Sequence, residues 1–573
     1  MAVARRDLAN PLVPALPAAL MGAARRDLAS PLLPTLAAAL MGAAYLVAAP
    51  ETADMAAHTY RTWLWHQVGF ATWNAQWYGG HHIAGYSLLY PPLAAVAGTR
   101  FVGVAAAVAA VALFAVVARR LAPSQGAAAL ATWLFLGGVM SNVVIGRMPF
   151  TLGVALAVAA WACAPRSRSA AAALSLASVW ASPVTGAFLA VAALALLASA
   201  RAQDEQQRRG ARLTALALGV PAVAGGLAMA ALFPEGGSDH FVGTAFWPML
   251  LVCLGALALV DPARRTAIWG AAIYVTVLVL AFAIPNPLGQ NALRPGVVLG
   301  PALLVLFTRP GAPRAAVVGI AVTLLYLQWL PAVRAVEEAN GDPSTAAAFH
   351  AEVLRFLAPR AQPGERLEVP LTRNHWEATY LAQSYPLARG WHRQLDRKVN
   401  PLFYDTEHPL TAFGYEQWLR ENAVRWVALP SAPLDFSAKA EKDLLLGGLP
   451  YLKPRYESRD WRIWEVRHPE PPVSGAAKLT AAGADGFDLE ANRPGPVLVR
   501  QHATPYWTVA EGDGCVSKDE ASGWTMVDVR RPGIVRVRAR FSARGALRRE
   551  PRCTLDSGAP LSASAVNPPV REH

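Results

Sequence analysis

Eleven apolar runs fill the first three-fifths of this 573-residue chain, and short connections that carry arginine separate them. A transmembrane helix needs about twenty apolar residues, and several of the runs approach or exceed that length. With 54% hydrophobic and only 16% charged residues, a soluble multi-domain enzyme is disfavoured. We therefore predict a polytopic α-helical membrane protein whose spans lie at residues 31–49, 93–118, 126–145, 150–164, 170–182, 184–198, 213–233, 245–260, 267–284, 296–307 and 315–333.

The arginines of these connections predict the orientation. If the N-terminus is cytoplasmic and Pro183 turns the chain between two short helices, one side receives Arg25, Arg26, Arg119, Arg120, Arg166, Arg168, Arg201, Arg208, Arg209, Arg212, Arg264, Arg265, Arg309 and Arg314. Positive residues mark the cytoplasmic side of a membrane. The other side then receives all 12 histidines and everything after residue 333. This pattern predicts a multi-pass protein of a bacterial inner membrane with an extracytoplasmic C-terminal region.

Charge and cysteine content exclude several classes of protein. The net charge is +13, but its arginines fall in membrane connections, so we expect no nucleic-acid partner. Four cysteines are too few for a disulfide scaffold. Cys163 and Cys253 lie in apolar runs, whereas Cys515 and Cys553 lie in the predicted extracytoplasmic region. An oxidising exterior favours a disulfide between the last two.

The N-terminus contains a duplication, because residues 5–24 and 25–44 are nearly identical. We assign residues 1–30 to an N-terminal segment and residues 31–333 to the transmembrane domain. Met21 is an alternative start. A signal peptide is the rival interpretation of the first copy, but its three prolines argue against it.

The region after the last span divides into three parts. Residues 342–470 alternate helix and strand signals and predict a small α/β domain. Residues 472–545 carry short alternating strands separated by Gly and Asp turns, which predicts a small β-sandwich. Residues 546–573 are predicted to be a flexible tail.

The most informative segment is the first predicted outer loop, residues 50–92. In a helix that begins near residue 52, Asp54, His58 and Arg61 share one face because they are spaced by four and three residues. Such a face could take a proton from a hydroxyl and hold a phosphate nearby. The alternative is an interfacial amphipathic helix whose charges neutralise one another, with Trp63 and Trp65 as anchors.

Two cations on the same predicted side could bind a phosphate. Arg147 ends the third span, although simple snorkelling explains it equally well. Arg294 follows Asn291 in an irregular stretch between two spans, and irregular backbone is tolerated at membrane depth only when it faces protein or a wet cavity. We therefore name Arg147, Arg294 and Asn291 as candidate donor-phosphate or substrate-binding residues.

Aromatic and histidine residues of the first outer loop are further substrate-binding candidates. Trp77 and Tyr78 offer rings for stacking on a sugar, with membrane anchoring as the rival role. His81 and His82 follow a Gly-Gly turn and could bind substrate or phosphate. Adjacent histidines do not face one ligand together, so no metal site is predicted for the pair. Glu235 is expected to be solvated in a later loop.

The motifs of this loop resemble those of a known superfamily. An acidic residue after the first span is followed by Ala-His-x-Tyr-Arg and then by Trp-Tyr-Gly-Gly-His-His-x-x-Gly-Tyr-Ser-x-x-Tyr-Pro-Pro. This pattern resembles the C-type (GT-C) membrane glycosyltransferases. It looks closest to a bacterial branch whose members are related to pyruvoyl-tetrahydropterin synthase in name only.

The resemblance implies an activity and a base. Such enzymes transfer a sugar from a polyprenyl-phosphate carrier to an envelope glycan, lipid or protein, and Asp54 would activate the acceptor, with Glu51, His58 and Arg61 in support. The chain departs from the common pattern of closely paired acids, since Glu51 lies three residues before Asp54. No cofactor is assigned: a divalent metal is compatible with the resemblance, but no Asp-x-Asp motif supports it and a lone carboxylate is a poor site for one.

Two other functional classes are compatible with this helix count. A lipid-linked substrate transporter or flippase would show charges buried within the spans and two related halves. A non-catalytic envelope scaffold would use its β-sandwich to bind glycan and would lack a cavity that joins Asp54 to the lipid.

Overall fold

The computed structural model describes residues 32–201 and 204–548, together with residues 551 and 553. The duplicated N-terminal segment 1–30, with Arg25 and Arg26, lies outside the described residues, as does most of the predicted tail. The chain divides into two compact units, residues 1–470 and 471–573.

Thirteen helices make up the described part of the chain before residue 340. They are α1 Leu32–Ala48, α2 Ala53–Val68, α3 Tyr90–Ala97, α4 Thr99–Leu121, α5 Gln125–Ile145, α6 Met148–Cys163, α7 Arg168–Ala181, α8 Pro183–Ala200, α9 Glu205–Leu232, α10 Gly243–Leu259, α11 Arg265–Ala283, α12 Arg294–Phe307 and α13 Arg314–Ala339. A 3₁₀ turn, Gly289–Leu293, precedes α12.

Seven helical segments in the described residues are long and apolar enough to cross a membrane, and an eighth span results if the bent pair α1 and α2 counts as one. The prediction of eleven spans is therefore not confirmed. Helices α6, α7 and α10 have only 16, 14 and 17 residues, which gives lengths of about 21–26 Å at 1.5 Å per residue. That is shorter than the apolar core of a bilayer, about 30 Å.

Small residues let the helices of this region approach closely. Ala107 and Ala110 of α4 are fully buried, and Phe114 of α4 stacks on Phe135 of α5 with ring centroids 4.1 Å apart. A Cβ atom on Gly138 would lie 2.7 Å from the carbonyl oxygen of Val298 in α12. Close backbone approach through small residues is the usual way in which helices pack in membranes.

Residues 347–470 add a four-stranded sheet to the first unit. Strands β1 Arg366–Glu368, β2 Val424–Pro430, β3 Leu452–Glu457 and β4 Trp461–Val466 have the order β1-β2-β4-β3. Strands β1 and β2 are parallel, and the other pairs are antiparallel. Helices α14 Ala347–Leu357, α15 Glu377–Tyr380, α16 Arg393–Val399, α17 Ala412–Glu421 and α18 Lys439–Gly447 accompany the sheet. The division of this unit at residue 342 stays a prediction.

The second unit is rich in β-structure. It contains β5 Val473–Gly475, β6 Ala477–Gly483, β7 Gly486–Ala491, β8 Gly495–His502, β9 Trp507–Glu511, β10 Gly514–Lys518, β11 Trp524–Val529 and β12 Gly533–Ala539, followed by α19 Ala543–Ala546. These strands form two antiparallel sheets with the orders β10-β11-β8-β5 and β6-β7-β12-β9. A disulfide joins Cys515 of β10 to Cys553, with their Cα atoms 5.4 Å apart.

The contact at Gly138 predicts a measurable packing cost. Gly138→Ala places a methyl group against the backbone of Val298. We therefore expect the free energy of unfolding to fall by about 1–3 kcal/mol, which lowers the apparent melting temperature. Gly319→Ala in α13 is the matched control, because a Cβ there meets no atom within 4 Å. Thermal unfolding of the two variants in the same detergent checks this, and equal melting temperatures would contradict the described packing of α5 on α12.

Candidate functional site

The chain turns sharply between α1 and α2, and this bend creates the candidate site. The two helices meet at 81°, and Ala49 adopts a positive φ of 40°. The guanidinium group of Arg100 donates hydrogen bonds of 3.1 Å to the carbonyl oxygens of both Ala49 and Pro50. The hydroxyl of Thr52 donates to the carbonyl of Ile145 at the end of α5. The start of α2 is therefore held against α5.

Asp54 lies in the first turn of α2 and faces cationic side chains. Its Oδ2 is 3.5 Å from the Nε of Arg147, and its side chain is 32% exposed. Arg147 follows Gly146, whose φ is 97° and whose missing Cβ would lie 3.0 Å from the backbone nitrogen of Met55. A side chain at Gly146 would push α2 away, so this glycine allows the Asp54–Arg147 pair to form.

Two further guanidinium groups, one buried and one half-buried, interact with the same carboxylate. Asp54 interacts electrostatically with both Arg61 and Arg294. Arg61 is buried, and its guanidinium carbon lies 4.0 Å from the ring centroid of Tyr86. The guanidinium of Arg294, at the start of α12, lies 5.1 Å from the ring centroid of Phe150.

Arg61 and Arg294 lack a close anion, although the more distant carboxylates of Glu235 and Asp239 also act on them electrostatically. Within the described residues, neither Arg61 nor Arg294 has a carboxylate within 4 Å, and the buried Nε atom of each lacks a hydrogen-bond partner. Buried cations without partners are costly unless an anion completes the site. Guanidinium groups bind phosphate oxygens well because their N–H groups form a planar fork. The arrangement therefore suits a phosphate placed beside the Asp54 carboxylate.

Two of the other predicted residues have partners outside this cluster. Glu51 pairs with Arg100 at 2.9 Å and so stabilises the bend. Asn291 donates to the carboxylate of Asp239 at 3.3 Å. His58, in contrast, is buried near the arginines, with its ring centroid 5.6 Å from that of Tyr86, and its Nε2 has no hydrogen-bond partner among the described residues.

Trp77 and Tyr78 are not available as stacking surfaces, which corrects the prediction from the sequence. The ring of Trp77 is fully buried and stacks on Tyr60, and its Nε1 donates to the carbonyl of Ala378. The hydroxyl of Tyr78 accepts a hydrogen bond of 2.9 Å from the backbone nitrogen of His392. Both rings instead anchor the first outer loop, Trp77 to α15 and Tyr78 to the segment that follows α15.

His81 and His82 point to different partners, in line with the expectation that they do not share a ligand. His82 Nδ1 lies 3.2 Å from the carbonyl oxygen of Thr72, while His81 Nδ1 lies 3.5 Å from Glu235 Oε2. Glu235 is not solvated as predicted, since its side chain is only 11% exposed. Burial raises the pKa of Glu235 to about 7.

The segment around α15 caps the start of α2. The indole nitrogens of Trp376 and Trp391 donate to the carbonyl oxygens of Glu51 and Ala53, at 2.9 and 2.8 Å. The hydroxyl of Thr379 donates to the carbonyl of Ala56 at 2.7 Å. Trp391 also stacks on His375 with a centroid distance of 3.5 Å. These two tryptophans and Thr379 fix the turn that carries Asp54.

An apolar cleft adjoins the cationic cluster. It is half open and has a cavity volume of about 30 Å³, and its walls are Arg61, Leu64, Trp65, Gly69, Phe70, Ala71, Ile83, Ala84, Ser87, Leu88 and Pro91. Arg61 is the charged member of this lining. The cleft therefore offers a hydrocarbon surface that ends at a cation, which is the chemistry of a lipid with an anionic head group.

Sequence reasoning missed the places of Tyr86 and Glu235 in this region. Tyr86 packs beneath Arg61, and Glu235 lies beside His81 and His392. The polar and aromatic side chains of the segment Arg389–Asp396, which contains His392, predict from the sequence either a cap on the membrane site or a structural hydrogen-bond network. The motif Gly-Tyr-Ser contains Tyr86 and was a signal in the sequence. No sequence signal joins Glu235 to His392, because they come from segments more than 150 residues apart.

No family model matches the chain, and no curated protein matches it. Among solved structures, the chain is similar to the crystal structure of ArnT from Cupriavidus metallidurans bound to undecaprenyl phosphate. The TM-score is 0.45 at 13% sequence identity, and the match covers 76% of this chain and 97% of that chain. A likeness this distant does not establish a shared activity, so the residues themselves must carry the functional conclusion. Nothing in these matches supports the branch named after pyruvoyl-tetrahydropterin synthase, which stays a prediction.

The cap on α2 predicts a specific loss of stability. Thr379→Val keeps the shape of the side chain but removes the hydrogen bond to Ala56, and we expect unfolding to become easier by about 0.5–1.5 kcal/mol. Thr323→Val in α13 is the control, since its exposed hydroxyl bonds only to Gly319 in its own helix. Thermal unfolding distinguishes the two variants, and an unchanged melting temperature for Thr379→Val would show that the cap does not hold α2.

Proposed function

We propose that this protein is a GT-C-type membrane glycosyltransferase that uses a polyprenyl-phosphate sugar, with Asp54 as the base. The observation that carries the proposal is the Asp54 carboxylate, half-buried at a helix start, next to Arg147 and in the field of Arg61 and Arg294. The motif resemblance of the first outer loop supports the same assignment. The acceptor is an envelope glycan, lipid or protein.

In this proposal each of these side chains has one role in the reaction. Asp54 takes the proton from an acceptor hydroxyl, whose oxygen forms a bond to the anomeric carbon of the donor sugar. The bond from that carbon to the phosphate oxygen breaks, and its electron pair leaves with the polyprenyl phosphate. Arg61, Arg147 and Arg294 stabilise the negative charge that develops on the leaving phosphate. The polyprenyl chain extends along the apolar cleft beside Arg61.

The orientation follows from the same proposal. The arginine pattern of the connections favours a cytoplasmic N-terminus and an extracytoplasmic position for the start of α2. Polyprenyl-phosphate sugars would then be used on the outer face of a bacterial inner membrane. Residues 347–470 would cover the site from that side, because α15 and Trp391 contact the first turns of α2.

The enzyme hypothesis predicts a specific loss of activity in Asp54→Asn. The test is transfer from a panel of radiolabelled polyprenyl-phosphate sugars to a crude envelope acceptor by the purified protein in lipid nanodiscs. We expect Asp54→Asn to fold normally and to lose transfer by about 10²–10⁴-fold, the usual contribution of a general base. Asp443→Asn, which removes an exposed carboxylate of α18, should keep full activity.

The outcomes separate the proposal from its rivals. Equal transfer by wild type and Asp54→Asn would remove Asp54 from the mechanism. Movement of intact labelled lipid between leaflets without cleavage would identify a flippase. Folded wild-type protein that neither transfers nor hydrolyses any donor would overturn the enzyme hypothesis.

A further inference from the structure

A second group of buried polar side chains lies near the arginine cluster but does not include Asp54. His81 of the first outer loop, Glu235 after α9 and His392 before α16 each direct one potential ligand atom to a common point. These three atoms all lie within 4.8 Å of one another. Residues from three distant segments of the sequence therefore converge without an obvious structural reason.

Three buried polar atoms of this group lack a hydrogen-bond partner, and the closest approach between them is the 3.5 Å from His81 Nδ1 to Glu235 Oε2. His81 is almost fully buried, and its Nδ1 makes no hydrogen bond to a described residue; the same holds for both carboxylate oxygens of Glu235. Buried polar atoms without partners are rare in folded proteins, because each costs the desolvation of that atom. A bound water or ion is a usual partner of such atoms.

The donor atoms of the group suit a bound cation. A neutral imidazole offers a ring nitrogen whose lone pair can bind a metal ion, and a carboxylate supplies negative charge. Two such rings and one carboxylate, with their ligand atoms within 4.8 Å of one another, could surround a single ion.

We infer that His81, Glu235 and His392 bind a single divalent transition-metal ion of the zinc type. Two imidazoles and one carboxylate form a ligand set that zinc uses in tetrahedral sites, where a water or another ligand fills the fourth position. Magnesium and calcium prefer oxygen ligands, so two histidines disfavour them. This inference does not depend on the proposed glycosyltransferase activity, and it departs from the sequence, which predicts no metal.

A neighbouring amide sets a structural condition for this binding. Asn74 Nδ2 lies 3.1 Å from His81 Nε2, and Asn74 Oδ1 accepts from the hydroxyl of Tyr60 and the backbone nitrogen of Gln76. If His81 binds metal through Nδ1, its proton resides on Nε2. The Asn74 amide must then turn so that Oδ1 accepts this proton and Nδ2 donates to Tyr60. The weaker bond from Gln76, 3.2 Å long, is lost.

The metal would act by positioning, not in the chemistry. It would tie the first outer loop to the segments that contain Glu235 and His392, and the His392 ring lies 6.1 Å from the ring of Tyr86. Tyr86 in turn supports the guanidinium of Arg61. The positive charge of the nearby Arg61 repels a dication bound at this site. The negative charge of Glu235 is therefore essential to the site.

The experiment uses the full-length protein, purified with a tag that lacks histidine, in nanodiscs and stripped with EDTA. Cobalt(II) is added, and its visible absorption and bound stoichiometry are measured, followed by competition with zinc(II). We expect one equivalent of cobalt with the intense d–d bands of tetrahedral coordination, displaced by zinc. His408→Ala should bind as wild type does, because His408 is exposed on the α/β part of the first unit.

His392→Ala and Glu235→Gln should bind cobalt(II) at least about 10–100-fold more weakly than wild type does. Removal of a group that only hydrogen-bonds to a metal ligand already causes a loss of that size. Zinc should raise the melting temperature of wild type and His408→Ala but not that of the two ligand variants. The melting temperatures of the EDTA-treated proteins report whether each variant folds.

Two results would overturn the inference. One is the absence of tetrahedral cobalt bands in folded wild-type protein, which decides the question even if a ligand variant fails to fold. The other is undiminished stoichiometric binding in both His392→Ala and Glu235→Gln, which would place the metal elsewhere.

Discussion

The bend between α1 and α2 leaves backbone carbonyl groups at a point where helical hydrogen bonding is interrupted, and the candidate site depends on how these groups are satisfied. Backbone polar groups at membrane depth need partners from the protein itself. Arg100 bonds to the carbonyls of Ala49 and Pro50, and Trp376 bonds to that of Glu51. These contacts fix the direction in which α2 leaves the bend, and therefore the position of Asp54.

The electrostatics of the site follow from that position. Close to Asp54, three guanidinium groups meet a single carboxylate in a partly buried place, which leaves a local excess of positive charge; Glu235 and Asp239 act on Arg61 and Arg294 from farther away. Such an excess is stabilised only by water or by an anionic ligand. The apolar cleft that ends at Arg61 makes a lipid phosphate a better match than a small soluble anion.

Local patterns in the sequence account for part of this description. The spacing of Asp54, His58 and Arg61 predicted a helix, and α2 contains all three. Apolar runs predicted the helices but not their lengths, since Pro149 and Gly98 affect where α6 and α4 begin. Glu51 was misassigned because its partner, Arg100, lies 49 residues away in a different helix. The predicted sugar-stacking role of Trp77 was wrong because its indole bonds to Ala378, about 300 residues further along the chain. Contacts between residues so far apart produce no periodic pattern in the sequence, so the sequence does not predict them.

The most direct test of the account is a structure of the protein in nanodiscs with undecaprenyl phosphate, determined by cryo-electron microscopy. The account predicts that the phosphate lies within hydrogen-bonding distance of Arg61, Arg147 or Arg294, beside Asp54, and that the first isoprene units occupy the cleft at Leu64 and Phe70. A phosphate bound elsewhere on the protein, in contact with none of the three arginines, would contradict it.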